Sequence, residues 1–142
     1  MKSSEEARVQ ASEAELNAAI GRAAVRIRQR YVGRGPAKAT AFFRRHVVVV
    51  VMEDTMTQAE QSLALDGKPE LARKMELDLD GVMESDLRAE IERLTSCTVN
   101  AFLSASSIEP DICCQVYSLD RPVQVRANHV SAEAARISEK EA

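Results

Sequence analysis

This 142-residue chain has only two histidines, three cysteines and no long apolar run. Its longest apolar stretch, residues 47–52, is far short of the roughly 20 residues that a membrane-spanning helix needs. The chain is therefore not expected to span a bilayer by itself. The cysteines are odd in number and Cys113 adjoins Cys114, so they form no disulfide framework and fit a reducing compartment. With no Cys-x-x-Cys pair and no suitably spaced histidines, a zinc site is not expected. His46 and His129 stand in no nucleophile–base pattern, and neither a Walker nor a dinucleotide motif is present. No enzyme and no cofactor are expected. A net charge of −3 and a pI near 5.5 supply no bulk positive field, which makes nucleic acid an unexpected partner. The opening Met1-Lys2-Ser3-Ser4-Glu5-Glu6 is polar and acidic, unlike a secretion signal, so a cytoplasmic protein is expected.

What is present is enough for one domain with a real core. Residues 1–11 are polar and alanine-rich without periodicity and are expected to form a disordered leader. Ser12 with Glu15 makes a capping-box pattern, and Leu16, Ile20, Ala23, Ala24, Ile27 and Tyr31 follow in helical steps of three and four. Gly33 stands where a left-handed cap belongs, and Pro36 forbids continuation. Strands are expected at 38–45 and 47–53 around a turn at Arg45-His46. The β-branched valine run favours strand over helix and, because it does not alternate, should be buried on both faces. Thr57 with Glu60 repeats the capping pattern. Asp66-Gly67 with Pro69 then gives a kink, or a short helix followed by a long one. The long part carries Leu71, Met75, Leu79, Val82, Leu87, Ile91 and Leu94 as its apolar stripe. Strands at 99–104 and 112–119 close a second pair, and 122–142 read as a flexible tail with a weak helix at 131–140.

The resulting order, helix-strand-strand repeated twice, predicts an α+β two-layer sandwich: a four-stranded antiparallel sheet with the helices on one face, spanning 12–121. Helices cover only one side of such a sheet, so a second protomer or another protein is expected on the other, giving a dimer through the sheet face, the alternative being a monomer whose tail folds back across the sheet.

Several residues invite a chemical reading. Arg34 between Gly33 and Gly35 can close a backbone anion site, or it can simply serve a helix cap. The stretch holding Arg22, Arg26, Arg28, Arg30, Arg34, Lys38, Arg44 and Arg45 contains no acidic residue, whereas 53–92 is mostly acidic. The first unit is expected to face the acidic second helix. The alternative is an anion- or nucleic-acid-binding module built from Gly33, Arg34, Gly35, Arg30, Arg44 and Arg45. Phe42 and Phe43 are expected to divide between core and helix packing. The three cysteines read as small core residues, with Cys113 and Cys114 pointing to opposite faces. Asp78, Asp80, Glu84 and Asp86 read as a solvated helix face.

The turn Tyr31-Val32-Gly33-Arg34-Gly35-Pro36, the valine strand and Thr55-Met56-Thr57-Gln58-Ala59-Glu60-Gln61-Ser62-Leu63, in this order, resemble the MpsC-like (YbcI-like) family of small bacterial proteins. Met56 stands where that family usually has leucine, and the second hairpin matches less well. The resemblance implies a soluble accessory or regulatory component of a sodium-translocating, membrane-potential-generating system. Such a component would act by protein–protein interaction beside a membrane transport partner. It implies no reaction and no cofactor.

Overall fold

The computed structural model describes residues 3–36 and 38–125, which run α1 (Ser4–Val32), β1 (Lys38–Arg44), β2 (Val47–Glu53), α2 (Gln58–Leu65), α3 (Pro69–Thr95), β3 (Val99–Ser107) and β4 (Ile112–Leu119). The strands form one antiparallel sheet ordered β1-β2-β4-β3, so the two hairpins join through β2 and β4. α1 packs over β1 and α3 over β3, with the two helices in contact above the central strands. The expected α+β sandwich is therefore the observed one. The linker at Asp66-Gly67 divides the second helical region into two helices.

Local chemistry sets the boundaries. The Ser3 hydroxyl and the Glu6 carboxylate cap one another's backbone N–H groups, which starts α1 well before Ser12. The expected leader is thus helical from Ser4. It has no apolar period because residues 3–11 are all exposed, with no surface to pack against. Gly33, at φ 84°, ends the helix in the left-handed region while its N–H donates to the Gln29 carbonyl. Thr57 caps α2 through its hydroxyl, Pro69 opens α3, and Ser96 in a left-handed conformation closes it. Residues up to 125 also belong to the body rather than to a tail. The Val123 N–H donates to the Arg45 carbonyl at 2.8 Å, and Val123 and Val125 pack on the core. The helix expected at 131–140 lies outside the described residues.

The core forms where the inner stripe of α1 meets the inner face of the sheet. Ile20, Val48, Val50 and Cys113 are fully buried there, with Leu87, Ile91 and Leu94 arriving from α3. Strand periodicity then divides the valine run. Val48, Val50 and Met52 point inward, while Val47, Val49 and Val51 lie on the other face and are only half-buried. The expectation of burial on both faces is met on one, because no described element covers the far side.

Candidate functional site

Under the helices lies a group of polar side chains that water does not reach. Arg28 sits on the inner stripe of α1, one turn beyond Ala24, and is 1% exposed. Glu76 and Asp80, one turn apart on α3, and Glu60 of α2 are all 0% exposed. Arg28 Nη2 lies 2.7 Å from Glu76 Oε1 and donates to the Thr55 carbonyl at 3.0 Å; its Nη1 is 3.7 Å from Asp80 Oδ1. From the inner face of β4, Gln115 Nε2 donates to Asp80 Oδ1 at 3.2 Å and Cys113 Sγ to Asp80 Oδ2 at 3.4 Å. The Tyr117 hydroxyl donates in turn to Gln115 Oε1 at 2.9 Å. Asp111, in the turn between β3 and β4, accepts from the Thr55 hydroxyl and the Met56 N–H at 2.9 and 3.0 Å, fixing the loop that leads into α2.

Charge in this cluster does not balance, since three buried carboxyl groups face one guanidinium. Among the described residues, neither oxygen of Glu60 or of Glu76 accepts a well-aligned hydrogen bond, and Nε and Nη1 of Arg28 likewise lack one. Burial and the adjacent Glu76 push Glu60 up to about 8, while Thr57 pulls weakly the other way. Burial also raises Asp80, against the Cys113 and Gln115 donors and the Arg28 charge. The Cys113 thiol and Tyr117 phenol are pushed up by burial and by the neighbouring carboxylates, so both stay neutral at physiological pH. Such a site can hold a proton and fix the packing of α1, α2, α3 and β4. Among the described residues, no group of three or more His, Cys, Asp or Glu side chains is arranged to hold a metal ion.

The residues singled out from sequence fall elsewhere and do not converge. Arg34 pairs with Asp54 at 3.3 Å on the surface, beside Gly33, whose N–H the helix already uses. Gly35 leaves room for Val25, whose Cγ1 would lie 3.3 Å from an added Cβ. Arg30 binds Asp86 at 2.8 Å and lies over the Tyr31 ring, while the Tyr31 hydroxyl donates to the same carboxylate at 2.6 Å. Tyr31 is 43% exposed, so it rims the α1–α3 contact instead of joining the core. Arg44 and Arg45 stand at the far end of β1, roughly 20 Å along the strand from the Gly35 turn. The basic first unit does face the acidic second helix, through Arg26–Glu90, Arg28–Glu76 and Arg30–Asp86.

Two sequence expectations need correction. Asp80 is not on a solvated face, since the buried row of α3 is Ala72, Glu76, Asp80, Met83, Leu87, Ile91 and Leu94. In its first half that row lies one residue beyond Leu71, Met75, Leu79 and Val82, of which Leu71 and Val82 are 46% and 63% exposed. Phe43 packs on the core as expected, but Phe42 faces away from the helices. The signal that was available was a charged residue at a core-facing position on each helix: Arg28 in step with Ile20 and Ala24, and Glu76 and Asp80 in step with Met83 and Leu87.

The face of the sheet away from the helices is apolar at its centre. The strand registers place Phe42, Val49, Val116 and Leu103 in one row across all four strands. Val51, Cys114 and Ala105 flank this row on one side, and Val47 and Ala101 on the other. Leu103 is 63% exposed and Phe42 47%. Cys97 and Cys113 are core residues, whereas Cys114 is half-buried on this open face. Lys38 and Arg44 border the face along β1.

No helix among the described residues is long and apolar enough to cross a membrane. No curated protein and no solved structure matches the chain. Residues 12–121 match the model of the family described as Na+-translocating membrane potential-generating system (MpsC). That span runs from the first buried residue of α1 to just past β4 and includes the buried charge cluster and the whole sheet, so the chain belongs to the MpsC family.

Proposed function

We propose that this protein is a non-catalytic accessory or regulatory component of a membrane transport system of the kind for which its family is named. On this reading it acts from the cytoplasmic side by protein–protein contact and pairs with a second copy through the open face of its sheet. The observation that carries the reading is the row Phe42, Val49, Val116 and Leu103, apolar and uncovered by any described element. Four strands about 4.8 Å apart, seven residues long, give a face on the order of 450 Å². Two such faces together bury roughly 900 Å², near the lower limit for a specific contact. A non-catalytic role is supported by the closure of the cluster around Arg28, where no carboxyl group is open to a substrate.

Light scattering tests the pairing and co-purification with membranes tests the partner. The expected result is a dimer that Leu103→Asp converts to a folded monomer, with membrane capture lost in the same variant. A wild-type chain that stays monomeric at high concentration and captures nothing from membranes overturns the reading. The anion-binding alternative has less support, because Arg34 and Arg30 already have carboxylate partners within the chain. Strongly salt-dependent binding of an oligonucleotide, abolished by Arg34→Ala in a folded protein, would favour it instead.

A further inference from the structure

α2 is held to the body in an unusual way. It packs against α3, and its single buried residue is not a leucine but Glu60. Leu65 is 90% exposed, and Leu63 and Ala64 are only half-buried. Glu60 keeps only part of its expected local task. The Thr57 hydroxyl accepts from the Glu60 N–H at 3.2 Å, whereas the pull of Thr57 on the Glu60 carboxyl is weaker than that of burial and of Glu76. The carboxyl is instead buried beside Glu76 of α3. Behind Glu76 stand Asp80 of the same helix, Arg28 of α1, and Cys113 and Tyr117 of β4. Arg28 is the only cation in this group, and it is engaged with Glu76, Asp80 and the Thr55 carbonyl. Among the described residues, Glu60 has no cation of its own and neither of its oxygens accepts a well-aligned hydrogen bond, while Glu76 has the Arg28 guanidinium 2.7 Å from Oε1.

The geometry points to a single-proton binding site shared by Glu60 and Glu76, in which the bound proton latches α2 onto α3 and its loss releases α2 from the body. With the proton present, the Glu60 carboxylic acid donates to the Glu76 carboxylate, and that carboxylate keeps its ion pair with Arg28. When the proton leaves for water, two anions share a dry contact with one guanidinium. The cheapest relief is for α2 to swing outward and hydrate Glu60. The exposed linker 66–68 allows this while Asp111 holds the loop at the other end, and of the apolar side chains on α2 only Leu63 and Ala64 are even half-buried. The site requires nothing of the sheet face and stands or falls separately from the proposed pairing.

The sign follows from the two states. Closed, Glu60 holds its proton up to about 8; open, it returns to the ordinary value of 4.5. Below the lower value both states carry the proton and pH has no effect. Between the two values only the closed state carries it, so opening becomes about tenfold more frequent per pH unit. Above the upper value neither carries it and the effect levels off.

Hydrogen–deuterium exchange of the full chain at pH 6 and pH 8, corrected for intrinsic rates, tests this directly. In the wild type, α2 amides should lose about 50-fold in protection relative to those of α3 between the two conditions. Glu60→Gln, which keeps the shape and cannot ionise, should hold α2 protected at both. Because a variant can change packing as well as charge, carbon NMR of the Glu60 carboxyl in the wild type gives a second readout and should show it titrating well above ordinary carboxylates. Unchanged α2 protection in the wild type, equal loss in Glu60→Gln, or an ordinary Glu60 titration would each overturn the latch.

Discussion

Replacing Arg28 by methionine tests the buried cluster most severely, because it removes the only cation while conserving most of the volume. The guanidinium lies 2.7 Å from Glu76 and 3.7 Å from Asp80. At an effective dielectric constant near 20 these separations give gross attractions of roughly 6 and 4.5 kcal/mol. Desolvation has already consumed most of that, so the pair adds little net stability relative to an apolar core. Removing one partner is different. It leaves uncompensated carboxylates in a dry site, which typically costs about 3–5 kcal/mol. It also strips the Thr55 carbonyl of its donor, part of the same loss. Against a total stability of about 5–15 kcal/mol, Arg28→Met should leave a protein that still folds but melts far earlier.

Two features separate this cause from a packing defect. The first is pH. Without the Arg28 charge Asp80 is driven further toward its protonated form, so the folded state binds more protons than the unfolded one. Stability then falls as pH rises, and the penalty of Arg28→Met should be clearly smaller at pH 5 than at pH 7.5. The second is coupling. In Arg28→Met combined with Glu76→Met the charges leave together, and most of the lost stability should return, less the bond to Thr55. Urea denaturation at the two pH values measures both. A penalty below about 1 kcal/mol at neutral pH, or one unchanged by pH and by the second substitution, would show that the guanidinium does not compensate these carboxylates.

Further outcomes follow from single positions. Gly33→Ala should lower stability by about 1 kcal/mol, seen as a reduced melting temperature, because the position sits at φ 84°. Arg34→Ala next to it should change stability by less than about 0.5 kcal/mol, since its pair with Asp54 is exposed. On α3, Leu87→Ala should cost about 2–5 kcal/mol in chemical denaturation, for it is 3% exposed. Val82→Ala should stay within about 0.5 kcal/mol, being 63% exposed; equal losses at the two positions would contradict the observed rotation of the helix. Glu60→Gln should stabilise the protein progressively as pH rises from 4.5 toward 8, at up to about 1.4 kcal/mol per pH unit, with no gain below that window. Calorimetry across the range would expose a flat or reversed trend.

Local rules carried the fold a long way. Gly33, Thr57, Pro69 and the Arg45-His46 turn each act through a few neighbouring atoms, so the boundaries they set could be read from neighbouring letters. The start of α1 was also written locally, as Ser3 with Glu6, but its first turns face water and carry no apolar period to draw attention to them. The open face of the sheet could not be separated from the covered one in an unbroken valine run. Only the alternation of β1 and β4 on either side, with Ala39, Ala41 and Phe43 turned inward and Cys114 and Val116 outward, decides which valines meet the helices.

The cluster escaped for a deeper reason. Periodicity finds a buried face by assuming that burial means apolar, and on α3 that assumption selects Leu71, Met75, Leu79 and Val82. The true inner row is the next one, turned by about 100°, and it holds Glu76 and Asp80. Taken alone, each of these carboxylates looks solvated, and Arg28 looks like one more member of a basic stripe. What buries them is their mutual neutralisation across two helices separated by the first hairpin and α2, which no window along the chain contains. Even that pairing does not account for Glu60. Once Arg28 has met Glu76 and Asp80, the third carboxyl has no cation left to meet among the described residues, and the apolar side chains of α2 are at most half-buried. Its burial therefore requires a proton, and the position of α2 inherits that requirement.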